Sequence, residues 1–421
     1  MRQRFGDRTL DAGYAVLAAC AFFGFPIAAL VPVLLSMQSR PVSVAYRALV
    51  LTVSLAFLWR AARMRLPGIP LPIRWALGLL AAMLLARLAW DSLGAALPLD
   101  LPWDDLWAQV LIFALVPALP FLYLPEHMGL ILARTMCTAA GVIAVMAIGI
   151  GALYSLSNFT GTGRLATDVI NPITIGEVGV SLFIVCLSAR AVDSKEQRRR
   201  WSTMVRVAGG MLGAAACVLS ASKGPLLSLV AVATLMFGYR LVRLRPGRRL
   251  AELTVASLLI GVVVALGALL AQHGLLAVYN RLSELTSDQS TAIRLQAWSG
   301  ALAQFDASPL WGSAAVELST RFYPHNSVLE TMMATGVGGL VLVLLLQGWG
   351  ALAAHRLLVA TPQHSWIALL FVQHAIGGLV SGSVYLGGAY WISLLMLIGA
   401  YYAQTMAASI LAPKLRAGAG I

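Results

Sequence analysis

HGLLAVYNRLSELTSDQSTAIRLQAWSGALAQFDASPLWGSAAVELSTRFYPHN, residues His273 to Asn326, is the one long polar interruption late in a chain that otherwise consists of apolar runs and short connectors. Its surroundings decide how it is read. The 421 residues are 59% hydrophobic and 11% charged, with a mean hydropathy of +0.82. A soluble domain carries roughly 25% charged residues. The chain is therefore a polytopic membrane protein, and the bilayer takes the place of a self-contained core.

A membrane span needs about 20 mostly apolar residues. Twelve stretches qualify: 11–36, 42–62, 71–93, 104–124, 128–153, 173–190, 202–220, 224–242, 250–272, 327–354, 364–382 and 386–411. The organisation expected is all-α, with spans one to nine over 1–272, a large loop carrying short helices over 273–326, and spans ten to twelve over 327–421. Arg2, Arg4 and Arg8 lead into a first run too long for a signal-peptide core and without a small-residue cleavage site, so it is expected to remain as a span. Cys20, Cys137, Cys186 and Cys217 all fall in apolar runs and read as small packing residues.

Charge sets the orientation. With both termini cytoplasmic, the inner segments hold 21 of the 30 Lys and Arg, including Arg198-Arg199-Arg200 and RLVRLRPGRR at 240–249. The net charge of +13 is thus a topology signal, not a nucleic-acid signal. Seven basic residues stand on outer connectors against this trend: Arg40, Arg47, Arg164, Lys223, Arg281, Arg294 and Arg321. Arg40 and Arg47 are expected to snorkel to headgroups. Arg87 and Arg134 lie within spans.

The other outer basic residues come with helix starts. Arg164 precedes Asn171-Pro172, an N-cap followed by proline at the first helical position. Lys223 sits in the tight connector LSASKGPLLS, where Pro225 suits a first turn. Ser327 and Glu330 have capping-box spacing, so span ten is expected to begin there, just after His325. Helix starts present free N–H groups and partial positive charge. If the three converge, they make an anion site with basic side chains beside it. In the long loop, TAIRLQAWSGALAQF predicts an amphipathic helix lying in the outer interface. Its stripe is Ile293, Ala297, Ala301 and Phe305, widened by Trp298 and Leu302, with Arg294 and Trp298 sharing a face.

No P-loop, GxGxxG or zincin motif is present. The acidic pair Asp104-Asp105 reads as the start of span four, although a pair of carboxylates can also hold a cation. Of the six histidines, His325 is singled out by its place at an outer helix start in an Arg-rich loop. A positive helix end favours neutral imidazole, the form that accepts a proton.

The pattern Arg294-x3-Trp298, Pro309-x2-Gly312, His325-Asn326 and Gly336 resembles the O-antigen ligase and polymerase superfamily, as do Arg164 with Asn171-Pro172 and Ser220 to Gly224. Lys223 departs from the Arg more common there, keeping the charge but losing the bidentate fork. The resemblance covers the whole chain in layout. It implies a membrane-embedded, GT-C-like inverting glycosyltransferase at the periplasmic face of a Gram-negative inner membrane, with no metal or other cofactor. Its implied donor is an undecaprenyl diphosphate-linked glycan and its acceptor lipid A–core oligosaccharide, among membrane lipids and without nucleic acid. The implied roles are His325 as general base, and Arg164, Lys223, Arg281 and Arg294 on the diphosphate, supported by Asn326, Trp298 and Asn171. The outer loop at Arg164 is about 20 residues and the later one about 50, which favours ligase over polymerase. A transporter or flippase of an anionic lipid-linked glycan is the alternative of another class; it would use ionisable residues within spans, such as Arg87 and Arg134.

Overall fold

The computed structural model describes residues 2–35, 37–61, 69–95, 102–123, 127–154, 164–167, 169–188, 196–243 and 289–418. Its elements are helices, with one isolated antiparallel bridge between Glu317 and Phe322 among the described residues. In chain order they are α1 (Arg2–Ala19), α2 (Phe25–Leu34), α3 (Ser39–Ala61), α4 (Leu71–Ala89), α5 (Trp103–Ala108), α6 (His127–Tyr154), α7 (Pro172–Leu187), α8 (Glu196–Leu219), α9 (Lys223–Arg243), α10 (Gln289–Ala307), α11 (Ser327–Ala360), α12 (Ser365–Val380) and α13 (Gly388–Gly418). Short π and 3-10 turns continue several of them.

Among the described residues, seven helices are long and apolar enough to cross a membrane, and Pro172–Leu187 and Thr203–Leu219 are shorter apolar helices. Twelve spans were expected from the sequence. The ninth, at 250–272, lies outside the described residues, as do 273–288 and with them Arg281. Large apolar side chains stand exposed along the outer helices, among them Trp59, Trp75, Leu79 and Met146. That suits helices facing hydrocarbon, where burial of apolar surface against protein brings no gain. The interior is formed by α7, α12 and α13, with Trp366, Leu369, Leu394 and Leu397 fully buried. α7 and α8 approach closely at glycine: a Cβ on Gly179 would lie 2.5 Å from the Gly213 carbonyl oxygen.

A polar clamp explains the Pro309, Gly312 and Gly336 positions. α11 breaks at Gly336, whose φ of 68° and ψ of −160° are not helical. Val337 N–H leaves the helix ladder and donates to Pro309 O at 2.8 Å. The carbonyls so released need new donors. Met333 O accepts from Ser313 N at 2.8 Å, and Ala334 O accepts from Arg87 Nε at 3.0 Å. Arg87 also donates to the carbonyls of Ser313, Trp311 and Gly312, and is steadied by Asp91 at 3.2 Å. Asp91 accepts in turn from Ala315 N at 2.6 Å. Gly312, at φ 70°, fits because a Cβ there would sit 2.3 Å from Ala334 C. Arg87 thus ties α4, the Pro309–Ala315 turn and α11 into one unit. As an arginine engaged by backbone carbonyls, it does not serve the transporter reading.

Arg134 is likewise engaged. It donates to Val185 O at 2.9 Å and Ser188 O at 2.7 Å. Arg206 donates to Cys186 O and Ser188 O, both at 2.7 Å, and Arg240 to Leu187 O at 3.1 Å. Three arginines therefore cap the carbonyls at the C-terminal end of α7, where the helix dipole is negative.

Candidate active site at one end of the bundle

At the other end of α7, Asn171 is the N-cap and accepts from Thr174 N at 2.8 Å, with Pro172 in the first turn. The chain before it is pinned to α8: Leu165 N donates to Leu219 O at 2.8 Å. This seats Arg164 on the α8–α9 connector, where Nε donates to Ser220 O at 3.3 Å and Nη2 to Ser222 Oγ at 2.9 Å. The connector turns through Ala221 at a left-handed φ of 47°. α9 then starts at Lys223, with Pro225 in its first turn. The two basic residues therefore meet across Ser222.

The same connector touches the end of α12. A Cβ on Gly224 would lie 2.9 Å from Ser381 Oγ. The ring of His325 hydrogen-bonds the backbone of that same Ser381. The starts of α9 and α11 thus flank the C-terminal end of α12. Asn326, not Ser327, is the N-cap of α11, accepting from Val328 N at 3.0 Å and Leu329 N at 3.1 Å. The expected capping box does not form. Glu330 turns away from the helix start, because Ser383 Oγ (2.8 Å) and Val384 N (2.5 Å) donate to its carboxylate.

His325 stands at φ +56°, a conformation that costs a non-glycine residue free energy and persists where surroundings enforce it. Tyr323 and Phe322 flank its ring at centroid distances of 4.4 and 5.7 Å. Burial holds its pKa below the ordinary value, Arg294 lowers it further, and the Ser381 backbone bond acts in the opposite direction. The neutral form is thus favoured by burial and a neighbouring cation, where the sequence had suggested the helix end. Nδ1 is buried without a partner. Burial pushes Tyr323 up to about 12, helped by Glu330 and Glu177 and opposed by Arg294, so its hydroxyl remains a donor.

Arg294 lies on α10, which packs differently from the expected stripe. Ala297 and Ala301 are buried, but Ile293 and Leu302 are 47% and 46% exposed. The inward face keeps Ala297, Trp298 and Ala301 of that stripe and adds Arg294 and Gln304. Gln304 fixes the helix to the following turn through Ser313 Oγ, Val316 O and Leu318 N. Trp298 Nε1 is buried without a partner.

A cavity of about 500 Å³ opens beside this end, lined among others by Arg47, Asn171, Glu177, Tyr323 and Ser381. A second, of about 580 Å³, is lined by Arg40, Arg47 and Asp105. Tyr46 and Arg47 line both. Arg40 and Arg47, the two expected to snorkel to headgroups, border these cavities. The Arg47 guanidinium lies 4.9 Å from the Phe113 ring centroid, and its Nε is buried without a hydrogen bond. Arg47, Glu177, Tyr323 and Ser381 were not picked out as site residues in the sequence. The outer position of Arg47 was the only signal. No cluster of three metal-ligating side chains occurs among the described residues.

Residues 208–344 match the family model described as O-antigen ligase. The matched stretch contains Lys223, Arg294, Trp298, His325, Asn326 and Gly336; Arg164 and Asn171 precede it. No curated protein matches the chain.

Proposed function

We propose, from the match that supports membership of the O-antigen ligase/polymerase superfamily, that this chain transfers a glycan from undecaprenyl diphosphate to lipid A–core oligosaccharide at the periplasmic face. The observation that carries the reading is the arrangement around Ser381. His325, with one nitrogen unengaged, reaches it from one side, and the connector that leads into Lys223, with Arg164 hydrogen-bonded to it, reaches it from the other.

In the reaction, an acceptor hydroxyl oxygen attacks the anomeric carbon on the face opposite the diphosphate. The carbon–oxygen bond to the diphosphate breaks, and its electron pair leaves with the phosphate. The hydroxyl proton passes to His325. Its ring bond to Ser381 fixes the imidazole, and Nδ1 is the acceptor. Arg164, Lys223 and Arg294 hold the charge growing on the leaving group, with Arg281 assigned the same task from the resemblance. Asn171 and Asn326 fix the two helix starts as their N-caps, accepting from Thr174 N and from Val328 and Leu329 N. Trp298 shares its helix face with Arg294 and steadies it. General-base assistance contributes roughly 10² to 10⁴ in rate, and one positioned anion donor about 10² to 10³.

The test is a reconstituted reaction with purified protein, labelled lipid-linked glycan and lipid A–core. A ligase moves label to lipid A–core. A polymerase extends the lipid-linked glycan instead, and a transporter gives no product. A parallel run with chelator is expected to keep its rate; loss of product there contradicts the metal-free mechanism.

A further inference from the structure

One carboxylate in the cavity has no counterpart in this scheme. Glu177 lies on α7, within two turns of Asn171, and lines the 500 Å³ cavity with Tyr323, His374 and Ser381. Its side chain has no hydrogen bond or ion pair among the described residues, and it is only half-buried, open to the cavity. An ionisable group within a membrane-spanning bundle is costly and calls for a partner. Its backbone, by contrast, is held firmly. Gln373 Nε2 donates to Glu177 O at 2.8 Å, Ser181 Oγ donates to Gln373 Oε1 at 3.1 Å, and Ser228 Oγ donates to Gln373 O at 3.2 Å. Three helices, α7, α9 and α12, are thus stitched together at the level of this one side chain. Such support is what a binding group needs to keep its geometry.

We propose that Glu177 binds the saccharide of the lipid-linked donor, accepting hydrogen bonds from hydroxyls of the sugar next to the diphosphate. This rests on the transferase reading above. The chemistry narrows the ligand. In its ionised form the carboxylate is an acceptor only. A polyprenyl tail offers no donors, and an ionised diphosphate offers none and repels it. The saccharide is the part of the donor rich in hydroxyl donors. Placement agrees: Glu177 and Tyr323 line the same cavity, and the Tyr323 ring lies 4.4 Å from that of His325. A sugar held by Glu177 is thereby next to the base. Arg47, on the α3 wall of the same cavity, has the opposite preference and suits the phosphate.

The experiment compares binding of two probes, bare undecaprenyl diphosphate and the same lipid carrying its glycan, to full-length protein in nanodiscs. The wild type is expected to bind the glycan-bearing lipid more tightly than the bare one. In Glu177→Ala this saccharide increment falls about tenfold or more, the scale of charge-assisted hydrogen bonds. Glu177→Gln, which still accepts through its amide oxygen, loses less. Binding of bare undecaprenyl diphosphate stays within about twofold in both variants, which a merely structural role would not allow. An unchanged increment in Glu177→Ala overturns the proposal, as does equal loss of bare-lipid binding. Because the readout is binding, the two readings separate. A wild type that shows the Glu177-dependent increment but no transfer refutes the transferase reading alone.

Discussion

The two ends of α7 are both rich in basic residues, yet the chain uses them differently. At the C-terminal end, Arg134, Arg206 and Arg240 all donate to carbonyls between Val185 and Ser188. Their charge completes backbone hydrogen bonding and balances a helix dipole. At the N-terminal end, Thr174 N is met by the Asn171 side chain. Around that end lie groups with capacity to spare: Nδ1 of His325, Nε of Arg47 and Nε1 of Trp298, all buried without partners. Buried polar atoms left unpaired are uncommon, and each calls for an explanation. At the C-terminal end the arginines complete the backbone, with the Ser188 hydroxyl left unpaired, whereas at the other end the unpaired groups are a base, a guanidinium and an indole, the kinds of group a glycan phosphate engages.

Predictions follow the contrast from its strongest break to its weakest. Gly336→Ala puts a Cβ 2.4 Å from Leu310 O at φ +68°. It should break the clamp that aligns the start of α11, seen as loss of monodisperse protein on size exclusion and of transfer together. Arg164→Ala should keep the fold and slow transfer about 10² to 10³-fold, as removal of one anion donor does; initial rates on purified protein decide it. Arg294→Ala should slow transfer, with Arg294→Lys keeping part of the rate. It should also move the acidic limb of the pH–rate profile. Arg294 lowers the His325 pKa, so without it that pKa rises and activity is lost at a higher pH on acidification. The shift is partial, because burial is the larger cause and remains. An unmoved limb separates Arg294 from His325. Arg206→Ala, at the C-terminal end of α7, should leave transfer within about threefold and cost only stability, of the order of 1 kcal/mol for each hydrogen bond lost, read as a lower Tm.

What the sequence revealed depended on how local the cause was. Asn171-Pro172 and the Lys223 start were legible because N-cap chemistry acts within one turn. The Ser327–Glu330 box failed because Glu330 is taken by Ser383 and Val384, more than fifty residues away. Arg87 looked like a charge within a span. Its role depends on carbonyls of residues 311–313, over two hundred positions later. The exposure of Ile293 and Leu302 on α10 was hidden for another reason. Beside lipid, apolar residues such as Ile293 and Leu302 need not face protein, so an apolar stripe does not identify the inward face. Glu177 carries no local pattern and Arg47 only its outer position; the packing of α3, α7 and α12 around a common cavity brings them together.

The central claim is that chemistry belongs to the N-terminal end of α7 and architecture to the other. Initial transfer rates from lipid-linked glycan to lipid A–core, measured side by side for His325→Ala and Arg206→Ala on folded protein, test it most directly. The account predicts a fall of about 10² to 10⁴ for His325→Ala and near wild-type transfer for Arg206→Ala. Wild-type transfer by His325→Ala, or equal losses in the two variants, would contradict it.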